Sequence, residues 1–299
     1  MALFGIPVTL FLLGLAVGSF LNVLSMRYTL ERGLFPRETM TGRSRCPHCK
    51  KELSAIELIP LVSFVMQGGK CRTCKHRLSF QYPIVELLTA ILFVALNAIL
   101  YRHYGVFEKA ILGESTLWYY GILAVWLITL VAFILITLID LRLTIIPDSL
   151  NILIALAGII IAAILIKEKL FDPLQSSYLG HYGLLFGFRD SIVWNRFVGA
   201  LAGGVLFTTI VVVTRGRGMG IGDVKLAAAL GVLLGWPDAI LALLIAFVIG
   251  AIAGLFLIAR KMKSFKDGIP FGPFIILGAL IVLFWGEAIM RGYFSLFPI

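Results

Sequence analysis

Apolar residues run along this chain in blocks close to the length of a membrane helix, joined by short polar connections. Eight blocks stand out, at 4–24, 82–101, 117–139, 149–166, 194–214, 224–236, 238–259 and 272–290. A bilayer core is crossed by about 20 apolar residues in a helix, and blocks that are apolar on every face find their solvent in lipid. The sixth block is short, and Trp236-Pro237-Asp238 predicts a tight turn into the seventh, so a re-entrant segment stands beside a full crossing as its reading. The first block has no basic leader and no small-residue cleavage site, and charged residues follow it directly, so it reads as a retained helix and not as a secretory signal. The pattern predicts an all-α polytopic membrane protein of about eight transmembrane helices.

Composition agrees. Of the 299 residues 60% are hydrophobic and only 14% charged, which excludes a soluble globular domain. The net charge of +10 would suit a nucleic-acid partner, but in a membrane chain it belongs to loops lying on anionic lipid, and no nucleic acid is expected. If all eight blocks cross, nineteen Lys and Arg fall on one side, among them Arg27, Arg32, Arg37, Arg142, Arg217, Lys225, Lys263 and Lys266. Seven fall on the other, including Arg102, Arg189, Arg196 and Arg291. The positive-inside rule puts the richer side in the cytoplasm and both ends of the chain outside. A re-entrant sixth block would weaken this asymmetry. The loop at 167–193, on the outer side, reads as an interfacial segment without chemistry of its own.

The one polar stretch, about 26–80, carries all four cysteines as Cys46-Pro-His-Cys49 and Cys71-Arg-Thr-Cys74. Two Cys-x-x-Cys knuckles supply four thiolates to one tetrahedral ion, and a reducing compartment favours metal over disulfide. A structural zinc site is expected, making this a small cytoplasmic zinc-ribbon-like loop; a pair of redox motifs is the rival reading. His48 and His76 lie inside the cluster as alternative ligands.

Ionisable residues beside apolar runs point to function. Asp140 ends the third block, in Leu138-Ile-Asp140-Leu-Arg142, and Asp223 opens the sixth, in Gly220-Ile-Gly222-Asp223-Val-Lys225. Two crossings separate them, so both emerge on the cytoplasmic side, as a two-carboxylate site requires. Paired carboxyls share a proton, one acting as base on water and the other as acid to a scissile carbonyl. Gly220 and Gly222 let backbone come close, to a neighbouring helix or to an extended substrate. Each residue has a plainer reading too: Asp140 as the partner of Arg142, Asp223 as a helix cap beside Lys225, and Asp148 after Pro147 as an N-cap. Glu86 suits the start of the second helix, and Asn22, Glu57, Asn97 and Asp267 read as polar glue between helices.

Taken in order, these motifs resemble the type IV prepilin peptidases. The resemblance rests on Gly18-Ser-Phe-Leu-Asn22, the two cysteine knuckles, Glu57-Leu-Ile-Pro60-Leu, Tyr82-Pro83-Ile-Val-Glu86, Asp140 with Ile146-Pro147-Asp148, Gly220-Ile-Gly222-Asp223-Val-Lys225 and Ile269-Pro270-Phe271-Gly272-Pro273. It spans nearly the whole chain. It implies an intramembrane aspartyl peptidase of the bacterial cytoplasmic (inner) membrane, cutting the basic leader of a type IV prepilin or pseudopilin after glycine at the cytoplasmic face. It carries the catalytic roles to Asp140 and Asp223, with Gly220, Gly222, Lys225 and Asp148 in support, and the metal to Cys46, Cys49, Cys71 and Cys74. Members that keep the cysteine loop also methylate the new amino terminus from S-adenosylmethionine, so the resemblance implies that second activity here. The implied organisation is 1–25 as first helix, 26–80 as cysteine loop and 81–299 as membrane peptidase domain. A peptidase with a purely structural metal loop, and a transporter using the acids as a proton relay, are the alternatives.

Overall fold

The structure is a computed structural model describing residues 2–30, 33–34, 42–113, 115–172, 177–187, 190–216, 218–262 and 268–296. Arg32, Arg37, Arg189, Arg217, Lys263, Lys266 and Asp267 lie outside the described residues. The described residues form helices and no extended strand, with isolated bridges at Arg45–Glu52 and Lys70–Arg77. Among the described residues ten α-helices follow one another: α1 (Ala2–Arg27), α2 (Val62–Met66), α3 (Gln81–His103), α4 (Val106–Ile111), α5 (Leu117–Leu143), α6 (Asp148–Lys167), α7 (Ile192–Val213), α8 (Ile221–Leu234), α9 (Asp238–Ala259) and α10 (Gly272–Ser295). Single 3-10 segments lie at Ala55–Leu58 and Gly180–Phe186. Seven helices, all but α2, α4 and α8, are long and apolar enough to cross a membrane, and the chain is a multi-pass membrane protein. Two compact units divide it, Met1–Ala98 and Ile99–Ile299.

In the first unit α1 and the early part of α3 run antiparallel. Gly14 lies on the backbone of Ala90 and Gly18 on that of Glu86, so close that neither position has room for a Cβ. Small residues four apart bring helix backbones together in lipid, where tight packing and not water drives association. Asn22 Nδ2 donates to the Tyr82 carbonyl at 3.3 Å and to the Gly18 carbonyl at 3.2 Å, so Asn22 does serve as glue between the two helices. Between them the chain forms the two cysteine knuckles, and this unit includes most of α3, which the sequence pattern groups with 81–299.

In the second unit α5 is the most buried helix, with Ile122, Trp126, Phe133 and Ile136 facing inward. Pro147 and Ser191 precede α6 and α7, and Pro273 stands in the first turn of α10, where its missing N–H costs nothing. Close approaches fix the directions of the later helices. Gly203 of α7 meets Ala227 of α8, and Gly199 meets Gly231, so these helices are antiparallel. Gly278 of α10 meets Ala242 of α9, while Gly250 meets Phe271 and Phe274. Thus α8 leaves the end of the bundle that holds Asp140 and Asp223, and α9 returns to it.

The sixth block forms α8, which stands outside the seven helices long and apolar enough to cross a membrane. α8 has 14 residues, about 21 Å of helix, against a bilayer core of about 30 Å. Beyond its far end the Phe186 carbonyl accepts from Trp236 Nε1 at 2.9 Å. Asp238, at the start of α9 and 1% exposed, accepts from Ser177 Oγ at 2.9 Å and from the Tyr178 N–H at 2.7 Å. The segment at 177–187 is thus pinned to the bundle by a buried carboxylate.

The α7–α8 contact gives a direct test. Gly231→Ala drives a methyl into the Gly199 backbone and should cost roughly 1–3 kcal/mol, read as a lowered thermal midpoint in detergent. Gly204→Ala meets only Ala228 Cβ, at 3.6 Å, and should leave the midpoint nearly unchanged.

Candidate active site and cysteine cluster

Asp140 sits on the last turn of α5. The helix ends just beyond it at Thr144, which takes a left-handed conformation (φ 54°) and returns its N–H to the Asp140 carbonyl at 2.8 Å. A β-branched residue rarely adopts this conformation, so the turn is strained. It redirects the chain to Ile146, which packs beside both Gly222 and Gly272.

Asp223 lies in the first turn of α8. Its Oδ2 accepts the Gly220 N–H at 3.0 Å, the arrangement in which a third-position carboxylate satisfies an orphan amide at a helix start. Asp140 Oδ2 accepts the Gly272 N–H at 3.0 Å, at the start of α10. Both residues are buried, and both line a cavity of about 600 Å³ with Thr144, Ile146, Gly222 and Phe271. Each carboxylate thus gives one oxygen to a backbone N–H and keeps the other.

The two glycines before Asp223 differ. A Cβ at Gly222 would stand 3.2 Å from Ile146 Cβ, so this glycine serves helix contact. A Cβ at Gly220 would meet only Asp223 and Gly222 of its own turn, so its backbone stays open to the cavity. Lys225 Nζ donates to Asp148 Oδ2 at 2.7 Å, both side chains being well exposed at the cavity edge. Asp148 is the first residue of α6, with Pro147 at the cap position, so the N-cap reading gives way to an ion pair with Lys225.

The four sulfurs of Cys46, Cys49, Cys71 and Cys74 all lie within 4.8 Å of one another, and Cys46 Sγ is 3.9 Å from Cys74 Sγ. A tetrahedral ion with metal–sulfur bonds of about 2.3 Å needs sulfurs about 3.8 Å apart, so the set fits one metal ion. The N–H groups of Cys74 and Thr73 hold the Cys71 thiol down to about 6, readying a thiolate for a cation. His48 and His76 stack on each other instead, with centroids 4.5 Å apart and planes within 9°, outside the four-sulfur group.

Glu86 departs from its expected place. It falls beyond the first turn of α3, is buried, and accepts the Leu61 N–H at 2.8 Å, tying α3 to the cysteine-bearing segment. Asp238, whose carboxylate anchors the outer loop, is a polar site that the sequence pattern does not single out. Its position straight after Pro237 reads only as a helix start.

A bundle of apolar helices with two buried carboxylates at one end, joined to a four-cysteine segment, defines a polytopic membrane protein. Residues 12–100 match the family described as Bacterial Peptidase A24 N-terminal domain, and residues 127–255 match the Type IV leader peptidase family. Similar proteins named prepilin leader peptidase/N-methyltransferase occur in Aeromonas hydrophila (32% identity, covering 96% of this chain and 93% of the relative) and Pseudomonas aeruginosa (33%, 94% and 91%). Another is found in Bacillus subtilis, at 31% identity over 96% of this chain and 97% of the relative. The chain belongs to the type IV leader peptidase family. No solved structure matches it.

The Gly272–Asp140 contact predicts a coupling. A Cβ at Gly272 would stand 2.7 Å from Asp140 Oδ2, so Gly272→Ala should lower the thermal midpoint. In an Asp140→Ala background the same substitution should cost clearly less, and equal costs in the two backgrounds would show that the contact is absent.

Proposed function

We propose that the chain cleaves the leader of type IV prepilins or pseudopilins after glycine, at the cytoplasmic face of the bacterial inner membrane, with Asp140 and Asp223 as the catalytic pair. The observation that carries this reading is the convergence of two buried carboxylates, from α5 and α8, on one cavity. Two such carboxyls share one proton. The ionised one takes a proton from water as that water attacks the scissile carbonyl, and the protonated one supports the developing oxyanion and then the leaving amine. The Gly272 and Gly220 amides hold each carboxylate by one oxygen, leaving the other for the proton or the water. The open backbone at Gly220 is where an extended substrate strand would pair. Lys225 and Asp148 support the site from its edge.

The orientation follows from the excess of Lys and Arg on the side where both aspartates emerge, which also favours anionic lipid. The basic leader gains nothing from that field, so capture is left to the substrate's own apolar helix, held in the bilayer.

In the cysteine cluster the ion is zinc, because four thiolates at this spacing form a closed tetrahedral site. Its role is structural: a segment with little core of its own is folded by the metal. The relatives' shared name supports a second activity, transfer of a methyl group from S-adenosylmethionine to the new amino terminus. A peptidase without that activity would release an unmodified amine, and a proton-relay transporter would cleave nothing.

Co-expression with a prepilin, followed by mass spectrometry of the product, tests the pair. Wild type should remove a leader and add about 14 Da, the mass of one methyl group replacing hydrogen, while Asp140→Ala and Asp223→Ala each abolish cleavage. Asp148→Ala removes only an exposed ion pair, worth about 0–1 kcal/mol, and should slow cleavage less than tenfold. Cleavage that survives in Asp140→Ala and is lost in Asp148→Ala would transfer the first role to Asp148.

Elemental analysis of the purified chain should find about one zinc per molecule, in keeping with a four-thiolate site. Cys46→Ser should lose it and impair methylation more than cleavage.

A further inference from the structure

Between the two cysteine knuckles the chain runs without a charged residue over 58–69, Leu-Ile-Pro-Leu-Val-Ser-Phe-Val-Met-Gln-Gly-Gly. Together with Ile56 just before it, this stretch exposes Leu58, Ile59, Val62, Val65 and Met66, Val65 to 76%. On α2 the apolar Val62, Val65 and Met66 share the outward face, while Ser63, Phe64 and Gln67 turn to a cavity of the first unit. A short helix in water turns its apolar face inward, and here the order is reversed. Apolar side chains exposed singly are ordinary, but a contiguous group of them marks an interaction surface.

The position of this surface says what it meets. The cavity, of about 330 Å³, reaches from Arg27, the last residue of α1, to Ser19, about 12 Å back along that helix. Ser63 and Phe64 of α2 line it together with Ser19 and Glu86. Glu86 lies about 8 Å along α3 from its first residue, Gln81, and accepts the Leu61 N–H at 2.8 Å. α2 is therefore held alongside the apolar lengths of α1 and α3, below their ends. At these levels both helices present bare apolar side chains of their own, Phe20 on one and Ile84, Leu87 and Leu88 on the other. The Glu86 carboxylate has a use in such a place. Leu61 joins the 3-10 segment to α2 in a left-handed conformation (φ 59°), and its amide, unpaired by either, would be costly in lipid without that acceptor.

We propose that residues 56–66 form a membrane-inserted loop, whose apolar face enters the boundary between lipid headgroups and acyl chains beside α1 and α3. The four-cysteine cluster then rests on the membrane surface. Interfacial segments of this kind bury their apolar side chains about 5–10 Å deep and keep basic residues at the phosphates. Lys50, Lys51, Lys70 and Arg72 stand just outside the uncharged stretch, at the knuckles, and all four are exposed. Anionic headgroups match that charge. Depth argues for lipid over a protein partner, because any partner at the level of Ser19 and Glu86 would itself have to lie in the bilayer.

Spin-label accessibility tests the insertion, with the full-length chain in vesicles of phosphatidylethanolamine and phosphatidylglycerol. A nitroxide attached through the ketone of p-acetylphenylalanine spares the four cysteines. It takes the place of Val62, Val65 or Lys51 in turn, and of the exposed Leu88 of α3 as a lipid-facing reference. Labels at Val62 and Val65 should match Leu88, with a preference for oxygen over a water-soluble nickel chelate roughly tenfold greater than at Lys51. An unchanged thermal midpoint reports that a labelled chain is folded, and the two α2 positions are read separately, so one misfolded variant leaves the other to decide. Labels on α2 that behave like the one at Lys51 would place this face in water and overturn the proposal. Shielding from both reagents would reveal a protein cover, such as a second copy of the chain, and overturn it equally. Neither result depends on the peptidase or methyltransferase reading.

Discussion

A carboxylate buried among apolar helices needs a hydrogen-bond donor, and in lipid that donor must come from the protein. At Asp140 and Asp223 it is a backbone N–H at a helix start, Gly272 for one and Gly220 for the other. Helix starts are where unpaired amides are available, so the carboxylates and the beginnings of α8 and α10 have to come to one level of the bundle. Much of the second unit follows from this. The strained turn at Thr144 ends α5 just after Asp140 and delivers Ile146 against Gly222 and Gly272. The position of Gly272 has no room for a side chain because its amide is bonded to the carboxylate beside it.

The same demand reaches the other end of the bundle. α8 starts at the level of the carboxylates and is too short to match its neighbours, so its far end needs cover. The segment at 177–187 supplies it through the Trp236–Phe186 bond and through Asp238, itself a buried carboxylate held by a loop N–H and a serine hydroxyl. Gly199, Gly203 and Gly231 let α7 lie directly on α8. Backbone contact of this kind replaces the hydrophobic effect, which cannot hold helices together when the surrounding solvent is equally apolar.

These features were unevenly legible in the sequence. Long apolar runs identify α1, α3, α5, α6, α7, α9 and α10 because a single scale, bilayer thickness, governs their length. Parity along the chain brings Asp140 and Asp223 to one side, and the structure then lines one cavity with both. The cysteine spacing anticipates a four-sulfur group, since two knuckles need only the chain between them to fold back. What hides is whatever depends on a distant partner. Glu86 looks like a helix-start acid until Leu61 is seen donating to it. Asp148 resembles a cap until Lys225, from another helix, reaches it. The loop at 167–193 shows no chemistry in its own residues because the group that orders it, Asp238, lies beyond the next two helices.

Two pairs of carboxylates in this chain are built on one plan. In each pair both members give one oxygen to a backbone amide and keep the other. Asp140 and Asp223 line one open cavity of about 600 Å³. In the first unit Ser54 stabilises Glu57 as an anion, and the cavity it shares with Glu86 is mostly apolar.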